Sequence, residues 1–155
     1  MRIVVATDHA GFPLKDTVIE AVQAAGHEPI YLGTDSLSSV DYPDFAEKVG
    51  RAIQQGAAER GILLCGSGVG ASIAANKMKG VYAAICHDTY SAHQGVEHDS
   101  MNVLCIGGRV VGPEIVKELV SAFLGARFLG QDPGEERHAR RVKKVKKLED
   151  QGLGR

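Results

Sequence analysis

Short apolar runs alternate along the chain with segments in which apolar residues recur every three or four positions. The first run, RIVVATD, is β-branched and does not alternate with polar residues, as in a strand buried on both faces. Runs of this kind predict strands over residues 2–8, 27–33, 61–66, 81–88 and 102–108. The helical spacing predicts helices over residues 13–26, 41–56, 71–78, 89–97, 113–125 and 133–152.

Regular alternation of strands and helices, with loops of a few residues, is typical of an α/β fold with a parallel sheet. We predict a three-layer α/β/α sandwich around a five-stranded parallel sheet of the Rossmann-like type. The second strand contains Pro29, which favours an early or edge position. The length of 155 residues suits one domain. We expect residues 1–132 to form that single domain and residues 133–155 to form a protruding C-terminal helix.

The composition excludes several classes of protein. A net charge of -1 gives no overall attraction to nucleic acid or to an anionic membrane. No apolar run approaches the ~18 residues that span a bilayer, and the apolar start of the chain is too short for a signal peptide. The cysteines Cys65, Cys86 and Cys105 form no C-x-x-C pair, which argues against a disulfide framework or a zinc site. We therefore expect a cytoplasmic protein.

Ligands of parallel α/β sheets bind outside the carboxyl ends of the strands, so the residues at those ends are candidates for function. These ends carry Asp8-His9, Gly33-Thr34, Cys65-Gly66-Ser67-Gly68, His87-Asp88 and Gly107-Gly108-Arg109. At the end of the third strand, the thiol of Cys65 precedes a glycine-rich loop that leads into a predicted helix. Glycines bring the loop amides close to an anion, and the helix start adds a partial positive charge. The same field favours the thiolate of Cys65, which could then act as a base or a nucleophile.

Two other interpretations of this loop stay open on the residues alone. GSGVGA (66–71) matches the dinucleotide fingerprint G-x-G-x-x-A, and Asp88 follows about 20 residues later. However, that fingerprint normally follows the first strand, whereas this loop follows the third. Alternatively, Cys65 is a buried and inert cysteine. That interpretation fits Cys86 and Cys105 better, because both lie within predicted strands.

The C-terminal helix carries seven basic residues between positions 137 and 147. A helical wheel predicts a narrow packing face with five members, namely His138, Arg141, Val142, Val145 and Leu148. An arginine on a packing face needs an anionic partner, because burying it unpaired is costly. Arg137 and Arg141, four positions apart, could hold one phosphate together. The outward basic residues are ordinary surface charge, so we expect no nucleic-acid partner.

Five ordered blocks of sequence resemble the ribose-5-phosphate isomerase B family, which includes the galactose-6-phosphate isomerase subunits. The blocks are ATDHAGFPLK (6–15), DYPDFA (41–46), GILLCGSGVGASIAANK (61–77), EHDSMNVLCIGGRVVG (97–112) and RHARRV (137–142). The resemblance covers nearly the whole chain. It implies interconversion of an aldose and a ketose sugar phosphate through a cis-enediolate, without cofactor or metal. It also implies a homodimer whose active sites are shared between subunits, with the C-terminal helix packing on the partner.

The resemblance also implies roles for individual residues. Cys65 would be the base that moves a proton between C1 and C2, and His98 would open the sugar ring by donating a proton to the ring oxygen. The Ser67 hydroxyl and the amides of residues 66–70 would hold the enediolate oxygen. The implied substrate-binding residues are Asp8, His9, Tyr42, Gly66, Gly68, Val69, Gly70, Asp99, Arg109, Arg137 and Arg141. In this family the two arginines 137 and 141 clamp the phosphate from the other subunit.

Several of these residues also have structural interpretations. Asp8 could cap the next helix, His9 could stabilise a turn, and His98 lies in a polar segment where a histidine is usually a surface residue. The remaining histidines 87, 93 and 138 are expected to be structural, although His138 could join the phosphate site.

The sequence departs from the family at two points. Some members use a glutamate just after the glycine loop as the base, but residues 70–72 here are Gly-Ala-Ser, so Cys65 has no competitor. Asp99 stands where many members have asparagine, which could change ring opening or sugar preference.

The sequence thus predicts a homodimer, which could pair into a tetramer, that interconverts ribose 5-phosphate and ribulose 5-phosphate. Two alternatives stay open. One is the same chemistry on a six-carbon sugar phosphate such as allose or galactose 6-phosphate. The other is a non-catalytic sensor of nucleotides or sugar phosphates that uses the same anion-binding loop.

Overall fold

Five parallel strands form the central sheet of this computed structural model, which describes residues 1–152. The strands are β1 (Arg2–Thr7), β2 (Glu28–Tyr31), β3 (Arg60–Cys65), β4 (Ala83–Ile85) and β5 (Val103–Gly107). A 3-10 turn over Phe12–Leu14 precedes the first of six α-helices. The helices are α1 (Lys15–Ala24), α2 (Tyr42–Gln54), α3 (Val69–Ala75), α4 (Thr89–Asp99), α5 (Pro113–Gly125) and α6 (Glu136–Gly152). The predicted α/β fold with a five-stranded parallel sheet is confirmed.

The strand order is β2-β1-β3-β5-β4, so β3 lies at the centre of the sheet. The edge position predicted from Pro29 is confirmed, because β2 is an outer strand. β5 lies between β3 and β4, although it comes after both of them in the chain. Every residue of β5 is buried, whereas β4 is short and partly exposed, with Ile85 36% exposed. The more apolar strand thus occupies the position that is covered on both faces.

Helices cover both faces of the sheet. One core forms between the sheet and helices α1, α4 and α5, and a second forms between the sheet and helices α2 and α3. Successive residues of β3 alternate between the two cores. Ile62 and Leu64 pack in the first, and Leu63 and Cys65 pack in the second. The helices after β1 and β5 therefore lie on the opposite face from the helix after β3, and this divergence opens a crevice at the end of β3.

Some predicted boundaries were wrong, and side-chain hydrogen bonds account for the largest difference. The strand predicted over residues 81–88 is reduced to Ala83–Ile85, because the Tyr82 amide donates to the Asn102 side chain at 2.8 Å instead of to a neighbouring strand. α4 continues beyond its predicted end to Asp99, and Ser100 then ends it in the left-handed region with φ +58°. His98 and Asp99 are thus in a helix rather than in a loop.

α6 lies across the edge of the sheet at which the strands begin. Its residue Glu149 accepts hydrogen bonds from the Gly80 amide at 2.8 Å and from the Tyr82 hydroxyl at 3.1 Å. Burial, together with this carboxylate, raises the pKa of Tyr82 to about 12. These contacts fix α6 on its own chain, and a contact with a partner subunit stays a prediction. The end of the predicted C-terminal segment, residues 153–155, lies outside the described residues.

Within one chain, only part of the predicted packing face of α6 is buried. His138 and Val142 are buried against their own chain. Val145 is 51% exposed, Leu148 is 68% exposed, and Arg141 is also exposed. Within one chain, α6 therefore leaves two large apolar side chains and a cation on its surface. No helix within residues 1–152 is both long and apolar enough to cross a membrane.

Candidate active site

Cys65 is the last residue of the central strand and the first residue of the glycine-rich loop. Its side chain is 5% exposed, and its sulfur accepts a hydrogen bond from the Gly68 amide at 3.1 Å. Gly68 has φ +83°, in the left-handed region, and this turns the loop back so that its amide reaches the sulfur. An N–H group aimed at the sulfur stabilises its anionic form. Position and hydrogen bonding thus fit Cys65 for proton transfer.

The other two cysteines lie in environments that disfavour the thiolate. Burial raises the pKa of Cys86 to about 11, and the charge of Asp88 contributes in the same direction. Burial also raises the pKa of Cys105, which is fully enclosed in the sheet. The prediction that these two are buried small side chains is confirmed. Of the three thiols, only Cys65 borders the glycine loop.

Glycines allow the ends of three neighbouring strands to touch at the carboxyl edge of the sheet. The Gly108 amide donates to the Cys65 carbonyl at 2.7 Å, and the Arg109 amide donates to the Gly66 carbonyl at 3.0 Å. A methyl group at Gly108 would lie 2.8 Å from the carbonyl oxygen of Ala10, in the turn after β1. Only glycine therefore permits this approach, which joins β1, β3 and β5 around Cys65.

Asp8 and His9 follow β1 and lie beside this junction. Asp8 is buried, and its Oδ1 accepts hydrogen bonds from the amides of Ala10 at 2.8 Å and Gly11 at 2.9 Å. The helix-capping role considered from sequence was wrong: Asp8 stabilises the turn after β1, and neither the 3-10 helix nor α1 has a side-chain cap. His9 Nδ1 accepts a hydrogen bond from the Val40 amide at 3.3 Å, which fixes its ring over the loop that leads to α2.

Three further predicted residues surround the glycine loop. Tyr42 begins α2, and its ring lies on Gly70, where a methyl group would be 2.7 Å from the ring carbon Cζ. The Arg109 guanidinium lies over Gly66, with Nη1 3.6 Å from the place a methyl group would occupy. The exposed Ser67 hydroxyl accepts from the Val69 amide at 3.2 Å. We refer to Asp8, His9, Tyr42, Cys65–Gly70 and Arg109 as the carboxyl-edge cluster.

The structure places the other predicted residues at the opposite edge of the sheet. α4 starts at Thr89 near the carboxyl edge and ends at Asp99, four residues before β5 begins. Eleven helical residues span about 16 Å. His98 is therefore separated from Cys65 of the same chain by the length of the sheet. The sequence already implies this position, because His98 lies between a predicted helix and the strand that follows it. A helix that precedes a parallel strand ends at the amino edge of the sheet.

Arg137 and Arg141 join His98 at this amino edge. Arg137 Nη1 donates to the Gly134 carbonyl at 2.9 Å, and Nη2 lies 2.8 Å from the Glu135 carboxylate. Arg141 is exposed and forms no ion pair within residues 1–152. We refer to His98, Asp99, Arg137 and Arg141 as the amino-edge cluster. One chain thus carries two separate halves of the predicted site.

The structure adds one side chain, Gln94, to the predicted residues, and it gives His87, which was expected to be structural, a contact at the end of β5. Gln94 is hydrogen-bonded to His98 Nδ1 at 2.8 Å, a contact that the spacing of four residues on a helix could have indicated. His87 Nε2 accepts from the Gly107 amide at 2.9 Å and so holds the end of β5 against the glycine loop. In residues 1–152 no group of three or more His, Cys, Asp or Glu side chains could hold a metal ion.

Comparison with known proteins gives matches along almost the whole chain. A model of the family described as Ribose/Galactose Isomerase matches residues 3–145. Ribose-5-phosphate isomerase B of Escherichia coli is 42% identical over 148 residues, which are 96% of this chain and 96% of that protein. D-erythrulose-4-phosphate isomerase of Pectobacterium atrosepticum is 40% identical over 131 residues, 84% of this chain and 86% of that protein. The solved structure of Clostridium thermocellum ribose-5-phosphate isomerase B has a TM-score of 0.91 and 42% identity, and the match covers 97% of this chain and 99% of that one.

Proposed function

The chain belongs to the ribose/galactose isomerase family, and from this premise we propose that it interconverts ribose 5-phosphate and ribulose 5-phosphate. It is an aldose–ketose isomerase of sugar phosphates. The observation that carries the choice of mechanism is the Gly68 amide 3.1 Å from the Cys65 sulfur, at the centre of the carboxyl edge. This arrangement supports a cysteine thiolate as the base, with loop amides beside it for the developing oxyanion.

The reaction begins with the closed sugar, and His98 supports the first step. Its imidazolium donates a proton to the ring oxygen while the bond between C1 and that oxygen breaks and leaves its electron pair on the oxygen. The C1 hydroxyl gives its proton to water, and the open-chain aldehyde results. His98 then recovers a proton from solvent. A histidine suits this step because its ordinary pKa range lies near neutrality.

The second step moves the proton between carbons. The Cys65 thiolate takes the proton from C2, the electron pair of that C–H bond forms the C1–C2 double bond, and O1 becomes the enediolate oxygen. The amides of residues 66–70 and the Ser67 hydroxyl hold that charge. The proton on O2 passes to O1, the C2 carbonyl forms, and the Cys65 thiol returns its proton to C1. No step requires a cofactor or a metal.

The phosphate site and the ring-opening histidine come, in this proposal, from a second copy of the chain. The carboxyl-edge cluster of one protomer faces the amino-edge cluster of its partner, so that each dimer has two equivalent sites. Arg137 and Arg141 then clamp the phosphate of a sugar bound next to the partner's Cys65. The exposed Val145 and Leu148 on α6 support this arrangement, because they offer apolar surface for the contact.

Initial rates on three sugar phosphates test this function. We expect kcat/KM for ribose 5-phosphate to exceed that for allose 6-phosphate and galactose 6-phosphate by at least about 10-fold, since a longer sugar misplaces its phosphate relative to the thiolate. A higher kcat/KM for either hexose phosphate than for ribose 5-phosphate would show that the substrate is a six-carbon sugar phosphate. Binding of all three without turnover would identify a sensor.

Arg141→Ala is expected to weaken phosphate recognition. Loss of one charge-assisted hydrogen bond should raise KM for ribose 5-phosphate by about 10- to 100-fold and raise the inhibition constant of inorganic phosphate by a similar factor. Arg140→Ala is the matched control, because Arg140 is an exposed arginine of the same helix outside the amino-edge cluster. Equal inhibition of Arg141→Ala and the wild type by phosphate would exclude the clamp.

We also place the enzyme in the cytoplasm. All three cysteines are free thiols. Free thiols persist in reducing compartments, and a thiolate base needs protection from oxidation.

A further inference from the structure

His138 is a buried histidine at the start of α6. Its side chain is 2% exposed, and neither ring nitrogen forms a hydrogen bond within residues 1–152. The Glu135 carboxylate comes within 3.0 Å of Nε2, but not in a direction that makes a hydrogen bond. Buried polar atoms without partners are costly, so a histidine at this place needs an explanation.

The ring of His138 stacks on the ring of His98. The ring centroids are 3.9 Å apart, and the planes differ by 19°. His138 belongs to the first turn of α6, and His98 belongs to the last turn of α4, so the stack joins two helices. The stack covers one face of the His98 ring and restricts its rotation.

A second contact acts on the edge of the His98 ring. The Gln94 side-chain nitrogen lies 2.8 Å from His98 Nδ1. An amide can present either its N–H or its oxygen after rotation, so this partner can follow His98 through both protonation states. Gln94 therefore holds one edge of the His98 ring, and His138 holds one face. Because Nδ1 is bound to Gln94, Nε2 is the nitrogen that stays available to the substrate.

We propose that His138 is a positioning residue that holds the His98 ring in the orientation needed to protonate the ring oxygen of the closed sugar. The proposal rests on the proposed function, because it assigns ring opening to His98. It concerns the stacking of the ring and not the ring nitrogens. Loss of the stack should therefore impair ring opening and leave proton transfer by Cys65 unaffected.

Two measurements with the pentose phosphates separate these steps. Ribose 5-phosphate is largely a closed ring and must be opened. Ribulose 5-phosphate stays open, because its phosphate occupies the hydroxyl that would close a five-membered ring. Exchange of its C1 hydrogen with deuterium from D2O therefore needs Cys65 but no ring opening. The ratio of the two rates within one variant also cancels any loss of folded protein.

His138→Ala is expected to lower kcat/KM for ribose 5-phosphate by about 10- to 100-fold, as a misplaced catalytic group does, and to leave the C1 exchange rate close to that of the wild type. His138→Phe restores a flat ring for the stack and is expected to recover most of the ring-opening rate. His93→Ala, which removes the exposed histidine of α4 that pairs with Glu97, is expected to match the wild type in both assays.

Three results would overturn the proposal. Wild-type rates of His138→Ala in both assays would mean that the stack has no role. Equal slowing of both assays would mean that His138 supports or contacts the whole site, for example through the phosphate. Failure of a folded His138→Phe to recover ring opening would mean that the nitrogens act instead of the stack. If the wild type neither converts ribose 5-phosphate nor exchanges the C1 hydrogen, the proposed function itself is wrong.

Discussion

Replacing Cys65 with alanine is expected to lower kcat on ribose 5-phosphate by about 10² to 10⁴, the usual contribution of a general base. KM should change little, because the phosphate and the hydroxyl groups are bound by other side chains. The loss arises from the missing sulfur at the end of β3, where the Gly68 amide is its hydrogen-bond donor. Steady-state kinetics of the folded variant, compared with the wild type at the same pH, measure the effect.

Cys86→Ala provides the matched control for this loss. Cys86 is also a buried thiol near the carboxyl edge, but burial raises its pKa to about 11, so it is a thiol rather than a thiolate at neutral pH. We expect Cys86→Ala to retain the wild-type kcat. A wild-type rate in Cys65→Ala, or an equal loss in both variants, would contradict the assignment of Cys65 as the base.

Mixing two inactive variants, Cys65→Ala and His98→Ala, is expected to restore about one quarter of the wild-type specific activity. After random exchange of subunits, about half of the dimers contain one chain of each kind. Such a dimer has one site with both substitutions and one site in which both residues are intact. The prediction follows from the separation of Cys65 and His98 by the length of α4, about 16 Å.

Refolding the two variants together and assaying the mixture performs this test. Cys65→Ala mixed with Ser67→Ala is the control, because both residues belong to the carboxyl-edge cluster and no mixed dimer regains an intact site. That control should show no recovery beyond the more active single variant. No recovery with His98→Ala either would mean that the sites are not shared between subunits.

The layers of the fold were predictable because buried strands and the buried faces of helices have characteristic patterns of apolar residues. β3 and β5 are continuous apolar runs, and Pro29 identified β2 as an outer strand before its neighbours were known. The exchange of β4 and β5 in the strand order was not predicted. That order follows from how deeply each strand is buried by the helices on both faces of the sheet. The periodicity of apolar residues does not report how deeply a strand is buried. β4 is short and partly exposed in the structure, whereas the sequence predicts a longer strand over residues 81–88, so its length gave no indication of an edge position.

The order of strands, helices and loops determines which edge of the sheet each candidate residue occupies, so the division of the candidate site into two halves could be predicted. The order of strands and loops places Cys65 and Arg109 at one edge of the sheet, and the structure brings them together around Gly66. The end of α4 places His98 at the other edge. The stack of His98 on His138 depends on how α6 crosses the sheet, and no local pattern encodes this contact between residues 40 positions apart.

Deuterium exchange at C1 of ribulose 5-phosphate in D2O, followed by proton NMR, isolates the proton transfer from ring opening and from product release. With the wild type, we expect the C1 proton signal to decline at a rate comparable to kcat. For the Cys65→Ala variant, checked to bind inorganic phosphate like the wild type, we expect the signal to decline about 10² to 10⁴ times more slowly. Exchange by this variant at the wild-type rate would show that another group removes the proton, and that Cys65 is not the base.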